Sequence, residues 1–149
     1  MEEYYLFLNS EDCLDYYPSN EGGHFTIQLP QTLCLPGSWK CALLELRYTP
    51  QFKNAQRPDD IIICSNICAQ SYINNVQLPV LRRVTVDYNT ISLDRKKCLT
   101  VLYGFFVPVI SHTLNHMEVY IKGSNKTNLS FTYKVTCVLH LKKETGRAS

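Results

Sequence analysis

A chain of 149 residues, 45% hydrophobic and 19% charged, has the length of one domain and removes roughly 68–70% of its unfolded surface from water on folding, so neither a disulfide nor a metal is required to hold it. Fifteen basic and 13 acidic residues leave a net charge of +2; the basic residues form no long block, which argues against nucleic-acid binding. No stretch approaches the roughly 20 apolar residues of a membrane-spanning helix, so no membrane insertion is expected.

The first segment, MEEYYLFLNSEDC, places Glu2 and Glu3 where a signal peptide carries positive charge, and its apolar run stops after Leu8. A reducing compartment is therefore expected, with the seven cysteines as free and mostly buried thiols. YYLFLN is the first predicted strand. HFTIQL follows, with Phe25, Ile27 and Leu29 on one side and His24, Thr26 and Gln28 on the other, the alternation of a half-buried antiparallel strand. WKCALLELRY breaks that alternation. Apolar residues occupy both parities from Trp39 to Leu46, which predicts a strand covered on both faces or shielded by a neighbouring subunit. Trp39 and Leu43 are placed in the core.

IIICSNI, LRRVTVD, LTVLY and MEVYIK add four more strands, and YKVTCVLHLKK closes the set, with Tyr133, Val135, Cys137, Leu139 and Leu141 facing in. Breaks at Pro18, Asn20 to Gly23, Pro30, Pro36-Gly37, Pro50, Pro58 to Asp60, Pro79, Gly104, Pro108 and Gly123 to Asn125 leave little room for helices. Eight short strands predict an all-β fold, an eight-stranded antiparallel jelly-roll sandwich. The domain is expected over residues 1–142, with a polar tail over 143–149 and exposed loops at PQFKNAQRPDD and KGSNKTN.

Little in the chain points to chemistry. Cys64, Cys68, His112 and His116 can be drawn as a Cys2His2 set, but residues four apart on a strand lie roughly 13 Å from each other, too far to share a zinc. No cysteine sits on a glycine-rich turn that would expose it as a nucleophile. The acidic pairs Glu2-Glu3, Glu11-Asp12 and Asp59-Asp60 read as solvated charges, and Gly22-Gly23 lacks the Lys-Ser or Lys-Thr of a phosphate-binding loop. Arg82-Arg83 and the run Arg95, Lys96 and Lys97 are candidates for phosphate contact and equally for solvated faces. The sequons at Asn125 and Asn128 are expected to stay unmodified without a secretory route. No catalytic, cofactor-binding or metal-ligating residue is expected, and the chain is read as a structural or binding protein rather than an enzyme. Tyr16, Tyr17 and Asn20 beside Asp15 are the nearest set for a lectin-like ligand site, the reading that competes with a structural role; a cupin-like enzyme on the same fold has only the weak metal set behind it.

The order of segments carries more. YYLFLNSEDCLDYYPSNEGGHFTIQLPQTLCLPGSWKCALLEL resembles the opening of the penton, or minor capsid, proteins of Polinton (Maverick) elements and adintoviruses, through Leu8, Ser10, Tyr17-Pro18, Asn20, Phe25 to Leu29 and Gly37 to Leu46, Glu45 among them. Cys64 to Ile67 and Pro79 to Arg82 continue the likeness, with Ser65 and Asn66 where the family commonly has an acid. Glu118 in MEVYIK and His140 in the closing strand are its most distinctive matches. The resemblance implies a single jelly roll that forms a homopentamer and closes the five-fold vertices of an icosahedral capsid. Its implied neighbours are trimers of a double-jelly-roll major capsid protein and a vertex spike. It implies no cofactor, no direct contact with nucleic acid, and a place in the virion capsid after assembly inside the host cell, in the nucleus.

Overall fold

The computed structural model describes residues 2–54, 56–86, 88, 98–101 and 105–144. The elements among them are all strands: β1 (Glu3–Asn9), β2 (His24–Cys34), β3 (Trp39–Tyr48), β4 (Asp60–Ser65), β5 (Ser71–Ile73), β6 (Val76–Leu78), β7 (Val80–Thr85), β8 (Cys98–Val101), β9 (Val107–Pro108), β10 (Thr113–Gly123) and β11 (Thr136–Lys143). One sheet has the order β1-β11-β3-β8, with β9 also pairing with β3; a second has the order β2-β10-β4-β7; β5 and β6 form a hairpin of their own. Every pairing is antiparallel.

The inward residues of both main sheets meet in one apolar core. Phe25, Ile27, Trp39, Leu43, Val135, Cys137 and Leu139 all belong to it, and Leu29 packs against it half-buried. Trp39 stacks on Tyr4, ring centroids 5.7 Å apart, and its indole Nε1 donates to the Pro36 carbonyl at 3.0 Å. Ser10, fully buried, closes the start of the β1–β11 pair by two bonds to Val135: its amide donates to the Val135 carbonyl, and its hydroxyl accepts from the Val135 amide.

The mixed parity of β3 has a cause that alternation alone does not show. Opposite β11, Leu43 pairs with Leu139 and Glu45 with Val138, so Leu44 is an extra residue and the register shifts there. A bulge of this kind flips the side-chain alternation. Trp39, Cys41 and Leu43 point into the core before it, Leu46 and Tyr48 after it. The strand keeps an outward face, with Arg47 exposed and Glu45 half-buried beside it.

On β3 burial on both faces is confined to Cys41–Leu43; it runs further on β4, where Ile61 to Ser65 are all buried. Ile61 and Ile63 lie in the main core, while Ile62, Cys64 and Val80 form a second cluster with Ile73, Leu78 and Tyr120. The β5–β6 hairpin supplies Ile73 and Leu78 to that cluster. It turns through Asn74, whose φ of 55° lies in the left-handed region that Asn tolerates. This hairpin and β9 are absent from the eight expected strands. The other eight segments each contain one of the remaining strands or overlap it.

Other boundaries also move. Pro30 lies within β2 instead of ending a strand, which an edge strand permits, and the register with β10 shifts beside it. β11 extends to Lys143, inside the expected tail, and the Glu144 amide bonds to the Ser38 carbonyl; residues 145–149 of that tail lie outside the described residues. Of the two expected loops, Pro50 is buried and Phe52 bridges to Phe131, while Lys122 belongs to β10. Gly23 lies so close to the Leu129 carbonyl that a Cβ there would stand 1.9 Å from its oxygen, a position closed to any other residue without movement of the backbone. Gly37 turns the chain into β3 with a φ of 86°.

Candidate functional site

The residues singled out for distinctiveness lie on the outer faces of the two sheets. His140, on β11, bonds to the Glu3 carboxylate at 2.6 Å and stacks on Tyr5 at 4.5 Å. Phe106 meets the same imidazole edge-on, and the Lys40 ammonium lies 5.0 Å from the Phe106 ring centroid. Phe7, 76% exposed, continues this row along β1. Glu118, on β10, pairs with His24 of β2, and Tyr120 tilts against the same imidazole. Both partners, Glu3 and His24, escaped the sequence reading, because 137 and 94 residues separate each pair along the chain.

The turn between β1 and β2 is tied to the β2 edge. Asn20 donates from Nδ2 to the Thr26 carbonyl at 2.8 Å, and its Oδ1 accepts from the Thr26 amide at 2.9 Å. Tyr17 donates its hydroxyl to Gln28 Oε1, and Cys13 Sγ accepts from the Gln28 amide. Both polar ends of the Asn20 amide and the Tyr17 hydroxyl are thus used within the fold, which weakens the set as a sugar-binding site. Glu11, Asp12 and Asp15 remain outside this scaffold as exposed carboxylates, with Leu14 and Tyr16 exposed between and beside them.

At the opposite edge of the same sheet, a cleft of about 450 Å³ is lined by Ser71, Tyr72, Ile73, Val80, Arg82, Arg83 and Phe105. The Arg82 guanidinium carbon lies 5.2 Å from the Phe105 ring centroid. No carboxylate among the described residues pairs with Arg82 or Arg83. The sequence marked the arginines and missed Tyr72 and Phe105, whose place beside them depends on the hairpin and on the chain after β8. Arg95, Lys96 and Lys97 lie outside the described residues.

The thiols and imidazoles drawn as a metal set are not assembled. Cys64 and Cys68 are buried and His112 and His116 exposed, and the described residues contain no group of three or more His, Cys, Asp or Glu able to hold a metal. Burial pushes the Cys64 and Cys137 thiols up to about 12. A hydrogen bond with Cys68, then burial, raises Cys41 well above the ordinary range. Such thiols stay protonated near neutrality and are poor nucleophiles. The sequon side chains are engaged locally, Asn125 accepting from Thr127 and Asn128 from Lys122.

No helix among the described residues is long and apolar enough to cross a membrane. No family model matches the chain, and no curated protein matches it.

Proposed function

We propose that this chain is a single jelly roll that assembles into pentamers and occupies the five-fold vertices of an icosahedral capsid, beside trimers of a double-jelly-roll major capsid protein. The observation that carries this reading is the nesting of strand pairs: β1 with β11, β2 with β10, β3 with β8 and β4 with β7. The chain thus pairs like one long hairpin bent between β4 and β7, and its eight main strands alternate between the sheets on the way in and again on the way out. A jelly roll requires this nesting, with β5–β6 and β9 as additions to it.

The resemblance to Polinton and adintovirus penton proteins takes the reading from fold to role. Surface composition supports a role in assembly: Tyr5, Phe7, Leu14, Tyr16, Tyr72, Phe105 and Ile110 are large apolar residues more than 40% exposed. The reading assigns the protein no catalysis and no cofactor; its work is to present complementary surfaces. The test is the absolute mass in solution, by light scattering across concentration and salt. A species of five times the 17.2 kDa chain mass, ring-shaped in electron micrographs, is expected. A monomer under every condition overturns the reading.

A further inference from the structure

We propose that the acidic turn Glu11–Tyr16 of one copy seats in the Arg82–Arg83 cleft of the next, and that this head-to-tail contact builds the ring. The inference rests on the pentamer reading and names the surfaces that would form it. Each surface carries what the other lacks. The turn offers three exposed carboxylates, Glu11, Asp12 and Asp15, and two exposed apolar side chains, Leu14 and Tyr16. The cleft offers two guanidiniums with no carboxylate partner among the described residues, walled by Tyr72, 75% exposed, and Phe105, 48% exposed. Guanidinium forks suit carboxylates, and an aromatic wall that excludes water strengthens the pairing. Apolar contact between Leu14 or Tyr16 and these rings would supply that exclusion.

The placement of the two surfaces decides how they can meet. His24 of β2 stands opposite Tyr120 of β10, Tyr120 opposite Cys64 of β4, and Cys64 opposite Val80 of β7. The turn lies along β2 at the edge where this row ends, with Cys13 bonded at Gln28 and Tyr16 beside His24 and Thr26. The cleft includes Val80 at the other end. Three interstrand steps of about 4.8 Å already separate the edges by roughly 14 Å, so one chain cannot satisfy both. Because they lie at opposite edges of one sheet, copies joined through them stand side by side. Such a contact is heterologous, and it closes into a ring when the rotation between neighbours divides a full turn.

The turn is built to hold its shape. The Asp12 amide bonds to the Asn9 carbonyl, the Tyr16 and Tyr17 amides to the Cys13 carbonyl, and the Glu11 amide to the Asn9 side chain. A preordered segment loses less conformational freedom on docking than a floppy one.

The test is charge reversal read by sedimentation velocity and light scattering. Arg82→Glu/Arg83→Glu and, separately, Glu11→Lys/Asp12→Lys/Asp15→Lys should each weaken association by about a hundredfold or more, as loss of close interfacial charge pairs does. An unchanged melting curve and Trp39 fluorescence establish that each variant is folded; if the arginine variant melts early, Arg82→Gln/Arg83→Gln and the acidic-turn variant carry the test. A chain that carries both reversals should assemble again, since every turn then meets a cleft of opposite charge around a ring of any number. Pentamers that persist in either reversed variant, or a folded doubly reversed chain that stays apart, overturn this pairing and leave the vertex reading standing. A native chain that is monomeric throughout overturns both.

Discussion

Leu43 and Leu46, three residues apart on one strand, are buried in the same core, a spacing that an unbroken strand cannot give because successive side chains alternate. Leu44 is the extra residue that reconciles them. Leu46→Ala should therefore cost about 2–5 kcal/mol, the range for emptying a buried leucine site, whereas Leu44→Ala, at a half-buried position, should cost less than about 2 kcal/mol. Chemical denaturation of the two variants checks this. Equal losses would mean that Leu44 also packs inside.

Trp39 is 3% exposed, stacked on Tyr4 and bonded to the Pro36 carbonyl. Trp39→Ala should cost about 3–5 kcal/mol through the cavity it leaves. Trp39→Phe keeps most of the packing and loses the indole bond, so a smaller loss is expected. Thermal melts followed by circular dichroism measure both. A Trp39→Ala variant as stable as the native chain would remove this residue from the core's supports.

Asn20 acts as a clasp between the β1–β2 turn and the β2 edge, making both of its amide bonds to Thr26. Asn20→Ala should cost about 1–2 kcal/mol, since two backbone groups lose their partners at a half-buried site. Amide exchange at Thr26 should accelerate in the variant more than exchange in β3. Unchanged protection at Thr26 would contradict the clasp.

Cys34 is exposed and Cys13 half-buried, whereas Cys41, Cys64, Cys68 and Cys137 are buried. Of these six thiols, a soluble reagent at pH 8 should modify Cys34 first, Cys13 more slowly, and the four buried ones only on unfolding; peptide mapping by mass spectrometry gives the order. The same burial makes stability depend on alkaline pH. Cys64 and Cys137 hold their protons up to about 12 in the folded chain, against 9.0 ordinarily. Between those values the unfolded chain binds fewer protons than the folded one, so stability is fully present below about pH 9 and falls as pH rises toward 12. The slope is about 1.4 kcal/mol per thiol per pH unit. Denaturation at pH 8 and pH 10 should show the loss, and a Cys64→Ala/Cys137→Ala variant should show less of it.

Much of the strand inventory could be read from the chain because alternation and turn residues are local. Phe25, Ile27, Cys137 and Leu139 alternate as half-buried strands must, and their burial follows. The Asn74-Asn75 turn of the unforeseen hairpin was also legible, as two turn residues between the short apolar runs YI and VQL. The bulge at Leu44 was not. An apolar run on both parities reads the same whether a strand is covered twice or shifts phase once, and the pairing with β11 decides between them. Likewise Arg82 and Arg83 were marked by residue type and Glu118 and His140 by the resemblance, but their neighbours were not: His24 and Glu3 lie 94 and 137 residues from Glu118 and His140 and meet them only when the sheets close. By itself the sequence determined that this chain builds strands and where most of them lie, since those preferences act over a few residues. Which strands pair, which face each side chain takes, and which charges stand unpaired at opposite edges were decided by the tertiary structure, because they depend on contacts between distant segments.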